Sequence, residues 1–267
     1  MPRVSVIMGT YNGEKRIKRA VESILHQTFA DFELIICDDG SIDRTYKIVE
    51  EMAQCDTRII LIRNTKNKGL AKTLNRCLKL AKGDYIARMD DDDISHPERL
   101  EKQVLFLDSN PRYALVGTSR NFFDDKGIWG ESIRSGERKK IDIYLGKSFV
   151  HPSVMLRREA ILAVNGYSTD PGIGRAEDYD LWCKLYSEGY IGYNLGEVLF
   201  DYYESRDSYN KRKYKYRVLE YKLRLRWRKG LGLPLRYSIY AYRPLLVGLI
   251  PKFIHIKYHK NKFKINN

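Results

Sequence analysis

Along the first hundred residues, short uninterrupted apolar runs alternate with segments whose apolar positions recur at helical spacing. "VSVIMGTYN" (4–12) is a β-branched run that ends in turn residues, and "EKRIKRAVESILHQT" (14–28) follows with Ile17, Val21, Ile24 and Leu25 on one helical stripe. "FELIICDDGS" (32–41) predicts a second buried strand. "DRTYKIVEEMAQC" (43–55) predicts a helix that Ser41 or Asp43 would cap. A third strand, "RIILIRN" (58–64), a third helix, "GLAKTLNRCLKLAKG" (69–83), and a fourth strand, "YIARMD" (85–90), continue the alternation. Continuous apolar strands separated by helices predict an α/β fold, a mostly parallel, Rossmann-like sheet covered on both faces.

Beyond residue 100 the pattern is less regular. "LEKQVLFLDSN" (100–110) predicts a helix and "YALVGTS" (113–119) a strand, while 122–148 is mixed and rich in charge. "SFVHPSVMLRREAILAVNGY" (148–167) predicts a strand and a short helix, "AEDYDLWCKLYSEGY" (176–190) a further helix, and "YNLGEVLFDYY" (193–203) a closing strand or hairpin. From Leu219 to Arg228 the apolar positions alternate, but the residue types favour helix.

In a parallel sheet the ligand sits outside the carboxyl ends of the strands. Those ends here carry Thr10-Tyr11-Asn12, Asp38-Asp39-Gly40-Ser41, Asn67-Lys68-Gly69 and the run Asp90 to Asp93. Four polar turns on one edge predict a pocket. Four adjacent carboxylates repel one another, and where water is partly excluded each raises its neighbours' pKa unless a cation compensates. A cation site and a solvated acidic turn both satisfy that constraint.

Length and composition narrow the classes. The 267 residues suffice for one large domain, alone or with an appendage, and 43% hydrophobic content excludes wholesale disorder. Cys37, Cys55, Cys77 and Cys183 show no CxxC spacing, which predicts reduced thiols in a cytosolic protein, and the first residues do not read as a signal peptide. The charge is split: residues 206–267 hold 18 basic and 2 acidic side chains, a net of +16, against −2 for residues 1–205. The expected organisation is therefore a near-neutral body over 1–205 and a basic, aromatic, helical extension over 206–267. No apolar run in the extension reaches the roughly 20 residues of a membrane span. Bases interleaved with Tyr, Trp, Leu and Ile suit an anionic membrane surface, and no nucleic-acid recognition motif accompanies them.

The order of "VSVIMGTYNGEKRIKRAVESILHQTFADFELIICDDGSIDRT", "NKGLAKTLNRCLKLAKGDYIARMDDDDISHPERLEKQ", "HPSVMLRR" and "EDYDLW" over roughly residues 3–203 resembles the bacterial family 2 glycosyltransferases of GT-A fold. The resemblance implies an inverting transfer from a nucleotide-sugar, UDP-linked, to a saccharide acceptor, lipid-linked, in surface polysaccharide synthesis on the cytoplasmic face of the cell membrane. It implies uracil recognition at Thr10, Tyr11, Asn12 and Asp39. An aromatic face with a carboxylate suits a pyrimidine, whereas an Asx turn alone would also explain Asp38 and Asp39.

The family's Asp-x-Asp motif falls on Asp90-Asp91-Asp92, with Mn²⁺ or Mg²⁺ at Asp92 and Asp90, and with Asp90 or Asp91 toward the ribose or a metal-bound water. The general base falls on Asp178, with Glu177 orienting the acceptor and Trp182 packing beneath the sugar. Asn67, Lys72, Asn75, Arg88 and His151 are further donor-side candidates. Asp91 departs from the small residue usual in the motif, Asp93 also fits a helix cap, and Arg206 stands where relatives supply a late His. A nucleotide-binding protein without transferase activity, serving as scaffold or regulator in a polysaccharide complex, is the alternative reading.

Overall fold

The computed structural model describes residues 1–205 and 213–263. Strand β1 (Val4–Thr10) leads into helix α1 (Ile17–Leu25), β2 (Phe32–Asp38), α2 (Thr45–Cys55), β3 (Ile59–Arg63), α3 (Leu70–Leu80) and β4 (Tyr85–Met89). Ile17, Ala20, Val21 and Ile24 form the buried stripe of α1 that the sequence spacing predicts. Both β1 and β2 are buried along all seven residues because helices cover both faces of the sheet. Alternate side chains feed two cores. Ile7, Ile35, Cys37 and Ile86 enter one, and Val6, Met8, Leu34, Ile36 and Ala87 enter the other.

The chain continues through β5 (Ile94–Ser95), α4 (Arg99–Ser109), β6 (Leu115–Asp124), β7 (Gly127–Ser132), β8 (Gly136–Arg138) and α5 (Lys140–Tyr144). Then come β9 (Met155–Arg157), α6 (Arg158–Ala163), α7 (Glu177–Ser187), β10 (Gly192–Tyr203), α8 (Tyr214–Gly230), α9 (Arg243–Leu249) and α10 (Lys252–Phe263). The ten strands form one sheet in the order β3-β2-β1-β4-β9-β6-β10-β5, with β7 on β6 and β8 on β10. Strands β3, β2, β1 and β4 are parallel, as are β6 and β10, but β9 enters antiparallel to both β4 and β6. That three-residue strand is shorter than its apolar run suggests, because His151–Ser153 form a 3₁₀ turn ahead of it. Strand β6 runs on to Asp124 and turns back into β7 inside the mixed stretch, and 193–203 joins one continuous strand rather than a hairpin.

The basic segment is helical, as its residue types predict, yet α8 does not stand apart from the body. Leu223, Trp227 and Leu231 belong to the same core as Leu74, Ile86 and Trp182. Trp227 donates its indole N–H to buried Asp180 on α7 at 2.8 Å, and Arg224 donates to the Tyr144 carbonyl at 2.6 Å. A boundary at 206 therefore divides the charge but not the packing of α8. Among the described residues no helix is long and apolar enough to cross a membrane.

Candidate active site

A cleft of about 620 Å³ opens at the carboxyl ends of β1, β2 and β4. One side is formed by Gly9 to Tyr11, Asp39, the 67–69 turn and the first turn of α3. The other is formed by Ser168–Pro171, Ile173–Arg175 and Glu177, with Asp90 and Asp91 also in its lining. The volume falls within the range typical of small-molecule sites.

The turns at this edge are tied to each other. Asn12 adopts a left-handed φ of 54°, its side-chain oxygen accepts from the Ile42 N–H, and its own N–H donates to Ser41 Oγ. Gly40 has φ 77°, and a Cβ there would lie 2.8 Å from the Lys66 backbone, so the turn needs glycine both conformationally and sterically. Asp38 is enclosed, paired with Arg63 at 2.9 Å and accepting from the Ser41 N–H. Asp39 is also buried but reaches the cleft. One oxygen accepts from Asn64 Nδ2 at 2.6 Å and the Lys68 N–H at 2.8 Å, and the other from the Gly69 N–H at 2.8 Å. It therefore anchors the turn that presents Asn67 and leads into α3. Tyr11 is 46% exposed, leaving its ring open to a ligand, and Lys72 is exposed on the cleft side of α3.

The four aspartates occupy four environments. Asp90 lines the cleft and pairs with Arg88, which is fully buried and whose Nε and Nη1 have no hydrogen-bond partner among the described residues. Asp91 also lines the cleft and accepts from Thr10 Oγ1 at 2.5 Å, and burial raises its pKa. Asp92 is half-buried and lies outside the cleft lining. Burial and the adjacent Asp90 and Asp91 carboxylates push it up to about 7. Asp93 is wholly buried. One oxygen accepts from the Tyr203 N–H at 2.7 Å, the other has no partner among the described residues, and burial holds its pKa well above the usual range. It does not cap α4, whose first turn begins at Arg99.

Among the described residues no group of three His, Cys, Asp or Glu side chains is placed to hold a metal ion. The acidic donors at the edge are hard oxygens whose mutual repulsion still raises Asp92, although Arg88 pairs with Asp90. They fit a cation held by one or two carboxylates and completed by the oxygens of a bound diphosphate. Arg206 lies outside the described residues.

Tyr167 organises the far wall. Its backbone N–H donates to Asn75 Oδ1 at 2.9 Å and its carbonyl accepts from Asn75 Nδ2 at 2.8 Å, so Asn75 clamps this loop instead of lining the cleft. Asn165 and Gly166, with φ of 56° and 61°, turn the chain into the wall, and Lys184 Nζ donates to the Val164 carbonyl at 3.0 Å. The Tyr167 hydroxyl meets His151 Nε2 at 2.9 Å. His151 is only half-buried by area, yet its ring lies against Tyr167 and Trp182. Loss of solvent, together with Arg88, holds its pKa well below the ordinary 6.5. His151 thus lies behind the cleft as a neutral ring.

Trp182 does not pack beneath a sugar. It has no exposed surface and sits edge-on to Phe149, with ring centroids 5.4 Å apart. As the sixth residue of α7, one turn beyond Asp178, its side chain faces the core. Glu177 and Asp178 are the first two residues of that helix, and only Glu177 lines the cleft. Asp178 is half-buried and Oδ1 accepts from the Tyr179 N–H at 2.7 Å. Carboxylates at a helix N-terminus are favoured by the aligned peptide dipoles. The sequence reading missed Tyr167, the Ser168–Arg175 wall and the clamp from Asn75. Their only local signal was the Asn165-Gly166 pair, a turn former.

Comparison with known proteins assigns this architecture. The pattern of "Glycosyl transferase family 2" matches residues 5–164, and that of "Glycosyl transferase family group 2" matches residues 85–257. EpsE of Bacillus subtilis, a protein named as a glycosyltransferase, is 41% identical over 98% of this chain and 94% of its own length. The amylovoran biosynthesis glycosyltransferase AmsE of Erwinia amylovora is 30% identical over 97% of this chain and 98% of its own. Among solved structures, TarS 1-349 of S. aureus in complex with UDP-GlcNAc superposes with a TM-score of 0.70 at 21% identity, covering 93% of this chain and 72% of TarS. The mannosyltransferase PcManGT of Pyrobaculum calidifontis, in complex with GDP-Man and Mn²⁺, gives 0.66 at 19% identity over 97% of this chain and 74% of its own. The structural likenesses establish the GT-A fold, and the sequence matches establish the family. The chain belongs to glycosyl transferase family 2.

Proposed function

Starting from family 2 membership, we propose that the chain is an inverting glycosyltransferase. It moves a sugar from a UDP-linked donor to a hydroxyl of a lipid-linked saccharide in bacterial surface polysaccharide synthesis. The observation that carries this reading is a single cleft bounded by Tyr11 and Asp39, by Asp90 and Asp91, and by Glu177 at the start of α7. Those three edges suit a base, a diphosphate and an acceptor in that order. Surface polysaccharide as the product class draws on the name of AmsE.

In this reading Tyr11 stacks on the base and Thr10, Asn12 and Asp39 hold the turns that shape its pocket. Asn67 and Lys72 line the donor side, and buried Arg88 fixes Asp90. A divalent cation, Mn²⁺ or Mg²⁺, held by Asp90 and Asp92, would offset charge on the diphosphate as it departs. The acceptor oxygen attacks the anomeric carbon from the face opposite the diphosphate. The bond to the diphosphate oxygen breaks with its electron pair, and the acceptor proton passes to Asp178. One base suffices for this displacement. Glu177 orients the acceptor, and neutral His151 supports the wall through Tyr167. The net charge of 206–267 supports a place on the cytoplasmic membrane face, where a lipid-linked acceptor is presented.

Asp178→Asn tests the reading. It should keep UDP binding, measured by calorimetry, while transfer falls by about 10²–10⁴-fold, the usual scale for loss of a general base. Near-wild-type turnover would move the base to Glu177. Absence of transfer and of donor hydrolysis in the wild type across a set of UDP- and GDP-sugars would favour the non-catalytic scaffold.

A further inference from the structure

The charge of the C-terminal segment does not by itself say which surface meets a partner, because part of it is spent internally. Arg224 and Arg217 pair with Glu220, the one acidic residue among 213–263, and Arg224 also serves the core. The exposed apolar side chains are more telling. Ten of the eighteen large apolar residues that stand exposed among the described residues fall between Tyr214 and Tyr258; six of them, from Leu235 to Leu249, lie on the two segments packed on α8, whereas Phe253, Ile254 and Tyr258 belong to α10, which packs on β7. Scattered exposed apolar residues are ordinary, but concentration on one surface is not.

The geometry explains how they share a surface. The 3₁₀ segment Leu235–Tyr242 and helix α9 both pack on α8, and they present Ala241, Pro244 and Gly248 inward. In a 3₁₀ segment residues three apart eclipse, so exposed Arg236, Ile239 and Tyr242 form one outward column, with the Tyr242 ring also leaning on Tyr221 of α8 at 4.9 Å between centroids. On α9, Leu246 and Leu249 are three apart on the side opposite Pro244 and Gly248, and they are 64% and 68% exposed. A base, an aromatic ring and aliphatic tips in one patch have the chemistry of the bilayer interface, where basic groups meet lipid phosphates and apolar tips enter the acyl boundary.

We infer that Ile239, Tyr242, Leu246 and Leu249 insert into an anionic lipid surface, with Arg236 and the exposed Lys229 in the last turn of α8 meeting its phosphates. This deepens, and rests on, the reading of a lipid-linked acceptor, because the patch adjoins the acceptor wall. Gly248 of α9 lies against Tyr214 on the first turn of α8. The next turn backs on the cleft, where a Cβ at Gly174 would sit 3.1 Å from Leu219 Cδ1. One helix, α8, separates the inserted patch from the wall, so an acceptor rooted in the same bilayer needs a short reach.

The test uses the full chain in flotation with vesicles of phosphatidylcholine alone or mixed equally with phosphatidylglycerol. Binding should require phosphatidylglycerol, weaken in high salt and persist in part, since insertion is unscreened. The pair Leu246→Glu and Leu249→Glu should lower the bound fraction at least roughly tenfold. Lys229→Glu with Arg236→Glu should remove the preference for anionic lipid. Leu162→Glu, an exposed leucine on α6, should change nothing. UDP-induced thermal stabilisation of each variant reports the fold and the donor site separately, so loss of vesicle binding with that signal intact concerns the patch alone. Equal recovery on both vesicles, unaltered binding by the Leu246/Leu249 pair, or capture of nucleic acid in place of vesicles would overturn the inference.

Discussion

Asp39→Asn probes the joint between fold and donor site with the loss of one charge and no loss of volume. Asp39 accepts three hydrogen bonds, from Asn64 Nδ2 and the Lys68 N–H on one oxygen and from the Gly69 N–H on the other. Asparagine keeps one acceptor. In its better orientation the oxygen serves Asn64 and Lys68, and the new NH₂ faces the Gly69 N–H across a gap that was 2.8 Å. Two donors then oppose each other at a buried position. A hydrogen bond to a charged group contributes about 1.5–3 kcal/mol, and a stranded buried donor costs about 1–3 kcal/mol. Local relief by movement of the turn brings the expected net to about 2–3 kcal/mol. At about 2–4 °C per kcal/mol for a chain of this size class, Tm should fall by roughly 4–12 °C. The displaced turn carries Asn67 and Lys68, both in the cleft lining, so UDP affinity should weaken in the same variant. Differential scanning fluorimetry with and without UDP reads both effects. A Tm within about 1 °C of the wild type would refute the claim that Asp39 holds this turn.

Trp227→Phe should cost about 1–3 kcal/mol, read by urea unfolding, because it strips the indole donor from a buried Asp180 carboxyl whose pKa burial already raises. Unchanged stability would return α8 to the status of an appendage. For His151 the sign follows from its depressed pKa. Between the folded value and about 6.5 the unfolded chain binds more protons, so stability rises with pH through that window and is lost as pH falls below about 6.5. Stability should therefore fall as pH drops below about 6.5, followed by urea unfolding across a pH series, and His151→Gln should remove that part of the acid limb. An unaltered acid limb in the variant would assign the loss to other groups.

The parallel half of the sheet was legible because its strands are uninterrupted apolar runs and its helices repeat at regular spacing. Ile17, Ala20, Val21 and Ile24 are buried as that spacing requires. Strand β9 was harder to place, since a three-residue strand after a 3₁₀ turn has no periodicity of its own and takes its direction from β4 and β6. Trp182 illustrates a different limit. An aromatic residue near a candidate base suggests a sugar platform, but four residues along a helix from Asp178 the side chain turns into the core. Asn75 and Tyr167 stand 92 positions apart, and no local pattern announces a clamp between α3 and the far wall. Trp227 was hidden by the alternating stretch 219–228, whose burial is set by α7 and not by its own sequence.

The crowding of Asp90 to Asp93 becomes intelligible once each residue's neighbours are known. Like charges at one strand end are costly only if all of them must remain ionised and unpartnered. Asp91 ties β4 to the end of β1 through Thr10, and Asp93 ties the same turn to the end of β10 through the Tyr203 N–H. Two of the four therefore hold strand ends, of which the end of β1 lines the cleft. Asp90 is balanced by Arg88 from within the protein, while burial and repulsion drive Asp92 up to about 7. That repulsion would be relieved by a positive charge arriving with a diphosphate. The run thus combines two acids that tie strand ends, Asp91 and Asp93, with Asp90, which faces the cleft, and Asp92, which lies beside it. A strand end can hold all four because only some of the carboxylates must stay ionised, and those that do have Arg88, Thr10 or a backbone N–H beside them.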